Sequence, residues 1–408
     1  MIGVIADDVT GATDVAAALR RAGLRTLLAL TPDLGDARPD ADAIVIGLKT
    51  RSMPVSDAVE LSLEALTSLQ QAGADRFYVK YCSTFDSTPQ GNIGPITDAV
   101  AASLGADLVV TTPSAPLHGR TVYRGHLFVG DALLDETHMR EHPVTPMLDS
   151  SLLRLLAPQT AGTVGLLSID AVHAGAEAVR ERVTEARAAG DGHLVADAVT
   201  VEDLAVIAEV VQDDVLVAGS AGLIGAIALL RPQTDADIPA TASGRTAIVA
   251  GSCSRRTLEQ IDHFSAAGGP SFQLVAAPGE TAEDLAERAV QWWDAQPDQA
   301  SALIYSSSPA ESRAGQDPAL GVLYEQAAGL IAARLADRGI RRLLIAGGET
   351  SGEVIKALGT RIAVVGEEAA LGAPWVHDVE HGLQLLLKSG NFGSPEFFVD
   401  VANGEVSV

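Results

Sequence analysis

The sequence predicts an α/β protein made of two doubly wound domains, each with a mostly parallel sheet. Short apolar runs typical of buried strands alternate along the chain with patterns typical of helices. Residues 232–244 interrupt this alternation with many turn-forming residues and no periodicity, so we expect a linker there. The 408 residues are enough for two or three domains with a core in each. We therefore predict one domain over 1–231 and a second over 245–408.

The predicted elements follow one another in two series. In the first domain, strands are predicted at 2–6, 25–30, 43–47, 76–80, 107–111, 163–167, 193–197 and 215–218. Helices are predicted there at 9–21, 55–71, 95–104, 150–156, 170–189, 201–210 and 221–230. In the second domain, strands are predicted at 246–250, 272–275 and 302–306, with two more before the glycine turns at Gly347 and Gly390, and helices at 255–266, 281–295 and 319–338.

The composition excludes several classes of partner. A net charge of −25 argues against nucleic acid and anionic membranes as partners. No apolar run reaches transmembrane length and no secretory signal opens the sequence, so we expect a cytoplasmic protein. The two cysteines, Cys82 and Cys253, have neither metal nor disulfide spacing. An acidic chain that binds anions must gather its few cations locally, so clusters of basic residues are informative.

A polar loop follows the predicted strand 76–80 and leads into a helix. Its chemistry-bearing side chains are one cation, one carboxylate, four hydroxyls and one amide, namely Lys80, Asp86, Ser83, Thr84, Ser87, Thr88 and Asn92. A strand, polar loop and helix in this order place such groups at the carboxyl edge of a sheet, where α/β proteins bind ligands. The set suits a small, polyhydroxylated anion. The alternative is a polar loop whose hydroxyls only cap the next helix.

Two adjacent carboxylates, Asp7 and Asp8, end the first predicted strand. Carboxylates pack poorly in a core but bind metals or hydroxyl groups well. The alternative is that Asp8 and Thr10 serve only as turn and N-cap residues.

A basic stretch at 114–126 stands out in this acidic chain. It contains two arginines and two histidines, and its Gly and Pro residues predict a loop or hairpin, not a helix. Because arginine can hold a carboxylate with two hydrogen bonds, Arg120 and Arg124, with His126, are candidates for binding an anionic group. Ordinary surface charge is the alternative. Residues 141–149 then read as a lid or edge loop before the helix at 150–156.

Three turns of the second domain combine glycine with hydroxyl groups, at Ser252 and Ser254, at Gly347, Gly348, Glu349 and Thr350, and at Gly390 and Asn391. A strand that runs through glycines into a helix allows close backbone approach and an anion at the helix start. The strings match neither the Walker A motif nor the GxGxxG fingerprint, so nicotinamide binding is not favoured. Plain helix caps and a terminal strand turn remain alternatives.

These strings carry a resemblance to the four-carbon acid sugar kinase family, and most closely to its 3-oxo-tetronate kinase branch. The first domain contributes Asp7-Asp8-Val9-Thr10-Gly11-Ala12, Lys80 to Thr88 with Gly91-Asn92-Ile93-Gly94, and His118 to Tyr123. The second contributes Gly347-Gly348-Glu349-Thr350-Ser351-Gly352 and Lys388 to Gly393. Many family members carry an arginine where this chain has Gln90, which weakens the case for D-threonate as substrate.

The resemblance implies an enzyme that moves the γ-phosphoryl group of ATP to O4 of a 3-oxo-tetronate, with Mg²⁺ on the phosphates and the ligand site in the cleft between the domains. Asp8 or Asp86 would be the catalytic carboxylate. The acid would be bound by Asp7, Asp8, Lys80, Ser83, Asp86, Ser87, Asn92, Arg120, Arg124 and His126. The nucleotide would be bound by Ser252, Ser254, Gly347, Gly348, Glu349, Thr350, Gly390 and Asn391.

Other functions stay open from the sequence. The acid could be D-threonate or D-erythronate, or the chain could be a sugar-acid binding protein without chemistry. The metal ligands and the oligomeric state, with a homodimer as one option, are also open.

Overall fold

The computed structural model describes residues 1–34, 40–141, 145–234, 244–298, 300–309, 317 and 319–405. The chain forms two compact units, Met1–Ala236 and Asp237–Val408. Most of the predicted linker, and residues 142–144 of the predicted lid or edge loop, lie outside the described residues. Each unit is an α/β layer structure, so the predicted class of two doubly wound domains is confirmed. The expectation that ligands bind in a cleft between the domains stays a prediction.

The N-terminal unit alternates strands and helices. Its strands are β1 Ile2–Ala6, β2 Thr26–Ala29, β3 Ala43–Gly47, β4 Arg76–Lys80, β5 Val109–Thr112, β6 Arg120–Tyr123, β7 His126–Val129, β8 Ala132–Leu133, β9 Thr163–Leu167, β10 Asp191–Ala196 and β11 Leu216–Gly219. Its helices are α1 Val9–Arg21, α2 Val55–Ala72, α3 Ile93–Leu104, α4 Leu152–Leu156, α5 Ile169–His173, α6 Ala176–Ala189, α7 Val201–Val211 and α8 Ala221–Leu229.

The main sheet of this unit has the strand order β2-β3-β1-β4-β11-β5-β10-β9. The neighbouring strands are parallel, and β1 lies between β3 and β4 with Ala6 opposite both Gly47 and Lys80. Every residue of β1 and of β3 is buried, as expected for central strands covered by helices on both faces. The carboxyl ends of β1, β3 and β4 therefore meet at one edge of the sheet.

The basic stretch forms a small antiparallel sheet of β6, β7 and β8. The predicted hairpin is thus confirmed. It is attached to the rest of the unit at two places, because Val122 pairs with Ala198 and His126 pairs with Ser151. Asp197 accepts hydrogen bonds from the backbone N–H groups of Arg124 and Gly125 at the turn of the hairpin.

One predicted helix of this unit is wrong. The expected single helix over 170–189 is two helices, α5 and α6, separated at Ala174 and Gly175. Gly175 has φ = 99°, a left-handed conformation that glycine adopts readily and that a continuing helix cannot contain. Ser168 caps the first piece through a hydrogen bond from the N–H of Ala171.

The C-terminal unit has strands β12 Thr246–Ala250, β13 Ser271–Gln273, β14 Ala302–Tyr305, β15 Arg342–Ala346, β16 Ile362–Ala370, β17 Ala373–Asp378 and β18 Leu383–Lys388. Its helices are α9 Arg255–Ala266, α10 Ala282–Asp294, α11 Ala319–Asp337, α12 Gly348–Leu358 and α13 Phe397–Asn403. The strand order is β13-β14-β12-β15-β18-β17-β16. The pairs from β13 to β18 are parallel, whereas β17 is antiparallel to both of its neighbours. Within the described residues, no helix is both long and apolar enough to cross a membrane.

Candidate active site

Three loops of the N-terminal unit meet where β1, β3 and β4 end. The first carries Asp7 and Asp8, the second carries Arg51, and the third carries Asp86. Backbone hydrogen bonds join them, because the N–H of Asp7 donates to the carbonyl of Lys80 and the N–H of Thr50 donates to the carbonyl of Asp7. The strand order therefore brings together groups that are far apart in the sequence.

Arg51 lies at the centre of this group. Its Nε is 2.8 Å from Oδ2 of Asp7, and its Nη2 is 2.9 Å from Oδ1 of Asp7 and 2.9 Å from Oδ1 of Asp8. Its Nη1 is 3.6 Å from Oδ2 of Asp86. We call Asp7, Asp8, Arg51, Lys80 and Asp86 the carboxylate cluster. Sequence reasoning missed Arg51, although a cation directly after a buried strand of an acidic chain was a usable signal.

Asp8 is both the N-cap of α1 and a member of the cluster. It accepts hydrogen bonds of 2.8 Å from the N–H of Gly11 and from the hydroxyl of Thr10. Burial alone would raise the pKa of Asp8. The positive charges of Arg51 and Lys80, together with those two hydrogen bonds, outweigh burial and hold that pKa below its ordinary value. Asp8 is therefore a stable anion that caps α1 and also belongs to the cluster.

Asp86 lies in the loop after β4, on a strained piece of backbone. The hydroxyl of Thr84 donates to its Oδ1 at 2.5 Å. Phe85, the residue before it, has φ = +51° although its ring is buried in edge-on contact with Tyr81. A bulky residue in this region of φ is uncommon and costs free energy, and such strain is concentrated at functional sites. The packing of Phe85 thus holds the backbone just before Asp86, and the hydrogen bond from Thr84 holds its carboxylate.

Lys80 is buried at the end of β4, with 3% of its surface exposed. A Cβ atom at Gly11 would lie 2.8 Å from its Nζ and 2.2 Å from Oδ1 of Asp8. The ammonium group therefore packs directly against the first turn of α1, and a side chain at position 11 would displace it or the Asp8 carboxylate. This contact explains the glycine of the Asp-Asp-x-Thr-Gly string in physical terms.

Two of the predicted substrate ligands have structural partners. Nδ2 of Asn92 donates to the carbonyls of Thr50 (2.6 Å) and Met53 (2.8 Å), which holds the loop that carries Arg51. The hydroxyl of Ser87 is 3.2 Å from Oε1 of Gln159. Among the described residues, Oδ1 of Asn92 is buried and has no hydrogen-bond partner. Ser83 is half-buried in the same loop.

The structure does not bring the basic hairpin residues Arg124 and His126 to the carboxylate cluster. Arg124 is largely exposed, with Nη2 3.5 Å from Asp170, and Nδ1 of His126 is 2.9 Å from the carbonyl of Arg124. The hairpin turn that carries them is held by Asp197, which directly follows β10. In the sheet, β10 lies four strands away from β1.

Arg120 is placed differently. Its guanidinium donates to the carbonyl of His118, and the ring of His118 is 3.5 Å from Asp14 on α1. Its Nε is buried and has no hydrogen-bond partner within the described part of the chain. Of the three basic residues of the 114–126 stretch that were predicted to bind the acid, Arg120 is the one whose loop contacts the helix that Asp8 caps.

A small cavity of about 20 Å³ lies beneath the carboxylate cluster. It is bounded by Asp7, Arg51 and Asp86 on the polar side and by apolar residues such as Val79 and Ile96 on the other. This volume holds about one water molecule. A polar ligand of the cluster would therefore bind on the open side of these groups.

Three glycine turns of the C-terminal unit pack against one another at the carboxyl ends of β12, β15 and β18. Gly347 precedes α12 with φ = 128°, and its N–H donates to the carbonyl of Lys388. A Cβ atom would lie 3.0 Å from the N of Ser252 if placed on Gly347, and 2.4 Å from Oγ of Ser252 if placed on Gly390. The glycines are thus required by the close approach of these turns to one another.

The hydroxyl groups of these turns have defined roles. Ser254 caps α9 by accepting from the N–H of Thr257, and its hydroxyl donates to the carbonyl of Gly390 at 2.6 Å. The N–H of Ser254 is 3.2 Å from Oγ of Ser252. Thr350 is buried in the first turn of α12. Asn391 is exposed at the same turn as Gly390.

A cavity of about 440 Å³ opens beside these turns. Small-molecule sites commonly have volumes of roughly 300–1,000 Å³. Its lining includes the helix start of α12 at Gly347–Thr350. The other lining residues are at Gly251–Cys253, Ser306, Ser308, Asp317, Leu320, Gly321, Tyr324 and Glu325. A cavity that has an anion-binding helix start and also apolar lining residues such as Leu320 suits a nucleotide.

Comparison with known proteins also divides the chain into an N-terminal and a C-terminal domain. Residues 2–227 match the family model described as a sugar-binding N-terminal domain, and residues 247–398 match the one described as a nucleotide-binding C-terminal domain. A 3-oxo-tetronate kinase of Cupriavidus necator is 43% identical, with 98% of this chain and 95% of that protein aligned. A 3-oxo-tetronate kinase of Haemophilus influenzae is 41% identical, with 98% of each covered.

Two solved structures are also similar. A putative tRNA synthase from Salmonella typhimurium LT2 has a TM-score of 0.89 at 37% identity, with 99% of each chain covered. A Haemophilus influenzae protein has a TM-score of 0.79 at 39% identity, covering 99% of this chain and all of that one. Both family models and the full-length relatives confirm the resemblance carried by the sequence motifs. This chain belongs to the four-carbon acid sugar kinase family.

Proposed function

We propose that this chain is a 3-oxo-tetronate 4-kinase, an enzyme that transfers the γ-phosphoryl group of ATP to the terminal hydroxyl of a 3-oxo-tetronate. The observation that carries the proposal is the similarity, over nearly the whole chain, to curated 3-oxo-tetronate kinases at about 40% identity. The two sites support it. A polar cluster with fixed cations lies in the sugar-binding unit, and a cavity with an anion-binding helix start lies in the nucleotide-binding unit.

In this mechanism the carboxylate cluster binds and orients the acid. The cluster contains three carboxylate groups and two cationic groups, Arg51 and Lys80, so the carboxylates outnumber the cations. Acceptors of this kind bind the hydroxyl groups of a sugar acid. Lys80 and the outer edge of the Arg51 guanidinium supply positive charge for the acid group, and Arg120, whose Nε has no partner within the described residues, is a further candidate for that group.

Between the two predicted catalytic carboxylates, the geometry favours Asp86 as the general base. Asp8 accepts two hydrogen bonds and lies 2.9 Å from Arg51, and its pKa is lowered, so it is a weak base. Asp86 has its Oδ2 3.6 Å from Arg51, and that oxygen is better placed to accept the proton of the attacking hydroxyl. Phosphoryl transfer otherwise depends on positioning and charge neutralisation.

ATP would bind in the C-terminal cavity, with its phosphates on the turns that carry Ser252, Ser254, Gly347, Gly348, Thr350 and Gly390. Mg²⁺ fits this site in chemical terms. It is commonly held by phosphate oxygens, waters and one or two carboxylates, so a dedicated cage is not needed. Within the described residues, no group of three or more His, Cys, Asp or Glu side chains is arranged so that it could hold a metal ion. Glu349 is the carboxylate at the start of α12. When bound, Mg²⁺ would neutralise charge that develops on the transferred phosphoryl group.

The test is an ADP-release assay of the purified protein with ATP, Mg²⁺ and a panel of four-carbon acids. The panel contains 3-oxo-tetronates, D-threonate, D-erythronate and L-threonate, and ³¹P NMR identifies the phosphorylated oxygen. We expect turnover of 3-oxo-tetronates at O4. Turnover of D-threonate instead would contradict the substrate assignment, and binding of acids without ADP release would contradict the kinase.

Variants assign the base within the same assay. Asp86→Asn should lower kcat by a factor of about 10² to 10⁴, the usual contribution of a general base. Asp8→Asn should raise KM for the acid more than it lowers kcat. Asp107→Asn, at an exposed position outside the cluster, is the control and should behave as wild type. A larger loss of kcat in Asp8→Asn than in Asp86→Asn would reverse the assignment.

A further inference from the structure

Lys388 is a buried cation that the proposed mechanism has not used. It ends β18 and has 0% of its surface exposed. Its Nζ donates to the carbonyls of Ser389 (2.9 Å), Gly390 (3.0 Å) and Phe392 (3.2 Å) and to the hydroxyl of Thr257 (3.3 Å). No carboxylate among the described residues forms an ion pair with it. An ammonium group in a cage of neutral oxygens is unusual, because buried lysines are normally paired.

The cage is built from the turn that follows β18 and from α9. The carbonyl of Gly390 accepts three hydrogen bonds, from Lys388, from the hydroxyl of Ser254 at 2.6 Å and from that of Thr257 at 2.9 Å. Gln260, also on α9, donates to the carbonyl of Phe392 at 3.0 Å. Several donors thus converge on the carbonyl groups of a single turn.

The direction of these carbonyls fixes the direction of the next N–H groups. In a trans peptide the C=O and the following N–H point in opposite directions. The carbonyls of Ser389 and Gly390 point toward Lys388, so the N–H groups of Gly390 and Asn391 point away from it. A Cβ atom on Gly390 would lie 2.4 Å from Oγ of Ser252, which lines the C-terminal cavity, so this turn adjoins the proposed phosphate site.

We propose that Lys388 is a positioning residue for the nucleotide: its ammonium group draws the carbonyls of the 389–392 turn inward and so presents the opposite N–H groups to the phosphates of ATP or ADP. It acts through the turn and makes no contact with the nucleotide itself. The proposal rests on the proposed function only in placing the nucleotide in the C-terminal cavity. When protonated, Lys388 also contributes a positive charge on the side of the turn opposite to the proposed phosphates.

The protonation state of Lys388 gives the proposal a specific signature. Burial, with a smaller contribution from Arg256 on α9, lowers the pKa of Lys388 to about 7. Arg256 is itself 3.1 Å from Glu259 on the same helix, and α13 presents the ring of Phe398, 5.9 Å from the ammonium. An anionic nucleotide bound nearby raises that pKa again. Above pH 7, binding of ADP must therefore be accompanied by uptake of a proton.

The experiment measures ADP binding by isothermal titration calorimetry at pH 8, in two buffers with different heats of ionisation. Wild type should take up a fraction of a proton on binding. Lys388→Met should take up none and bind ADP about 10-fold more weakly, a factor that corresponds to one lost charge-assisted interaction. Lys356→Met, at an exposed lysine on α12, is the control and should match wild type in both measurements.

A second variant tests the proposal even if Lys388→Met does not fold. Thr257→Val keeps the shape and the lysine but removes one oxygen of the cage, and it should weaken ADP binding while KM for the acid stays unchanged. In Lys388→Ala, added ammonium ions should restore ADP affinity in a saturable way, whereas tetramethylammonium should not. Wild-type ADP affinity or unchanged proton uptake in Lys388→Met would overturn the proposal. Failure of wild type to bind ADP at all would instead overturn the placement of the nucleotide, and this inference with it.

Discussion

Arg51 holds both carboxylate oxygens of Asp7, with Nε 2.8 Å from Oδ2 and Nη2 2.9 Å from Oδ1. The two residues are separated by 44 positions in the sequence and meet because β3 is the neighbour of β1. The planar guanidinium matches the carboxylate in a way that an ammonium group cannot. The same group also faces Asp8, so a single side chain lies between two of the three carboxylates at this edge of the sheet.

Arg51→Lys should therefore lower kcat/KM for the acid by a factor of about 100, since a lysine loses the two-pronged contact and leaves like charges less compensated. A coupled ADP-release assay measures this effect. Arg154→Lys is the matched control, because Arg154 makes a similar double contact with Asp149 at the surface. That variant should keep full activity. Equal activity of Arg51→Lys and wild type would contradict a role of Arg51 in the site.

Asn92 should stabilise the protein through the loop that it holds. Its Nδ2 donates to the carbonyls of Thr50 and Met53, so Asn92→Asp places a carboxylate against two carbonyl oxygens. We expect Asn92→Asp to be less stable than Asn92→Ala by about 1–3 kcal/mol, the cost of an unsatisfied buried polar group. Urea unfolding followed by circular dichroism measures the difference. Equal stability of the two variants would show that the amide donor is unimportant.

Gly251 should be intolerant of a side chain. A Cβ atom there would lie 2.2 Å from Oγ1 of Thr350, a short and buried side chain with little freedom to move. Gly251→Ala should destabilise the C-terminal unit by about 1–3 kcal/mol and weaken ADP binding.

The control for the stability of Gly251→Ala is Gly321→Ala. A Cβ atom placed on Gly321 would have no atom of the described residues within 4 Å, and alanine favours the helix that contains it. Gly321→Ala should therefore be at least as stable as wild type. Thermal unfolding of both variants tests the contrast in stability, and an ADP titration of Gly251→Ala tests its effect on binding. A Gly251→Ala protein that unfolds at the wild-type temperature would contradict the prediction.

His377 should make the stability of the C-terminal unit depend on pH. Burial on β17 lowers the pKa of His377 below its ordinary 6.5. The unfolded chain therefore binds a proton that the folded chain does not, and stability should fall as the pH drops below 6.5 toward the folded-state pKa. His377→Gln should flatten this part of the pH profile, and His263→Asn, at a half-exposed position, should leave it unchanged. Denaturant midpoints at about pH 7 and about pH 5 provide the measurement, and identical profiles for all three proteins would refute the prediction.

The strands that position the site were largely predictable. Runs such as Ile2–Ala6 and Ala43–Gly47 are apolar throughout because both faces of a central parallel strand are buried. The antiparallel pair β16 and β17 was not predicted. Gly366, Glu367 and Glu368 interrupt the apolar pattern of β16, and the pairing changes register between Val365 and Glu368. A strand with such an irregularity has no simple period in its sequence.

The candidate site was predictable in part. Asp7, Asp8, Lys80 and Asp86 come together as the strand-end pattern suggests. Arg51 was missed because its role depends on which strand neighbours β1, a long-range fact that local patterns do not contain. Lys388, which we propose as a positioning residue, was not among the predicted site residues because the argument for it depends on burial and on the carbonyl groups that it contacts.

The two free thiols differ in their surroundings. Burial and the nearby charge of Asp86 raise the pKa of Cys82 to about 11, so at neutral pH it is a protonated thiol and alkylates slowly. Cys253 instead lines the C-terminal cavity. A maleimide dye added to the native protein should therefore attach first at Cys253. The unmodified sequence thus contains an attachment point for a fluorescent reporter of nucleotide occupancy.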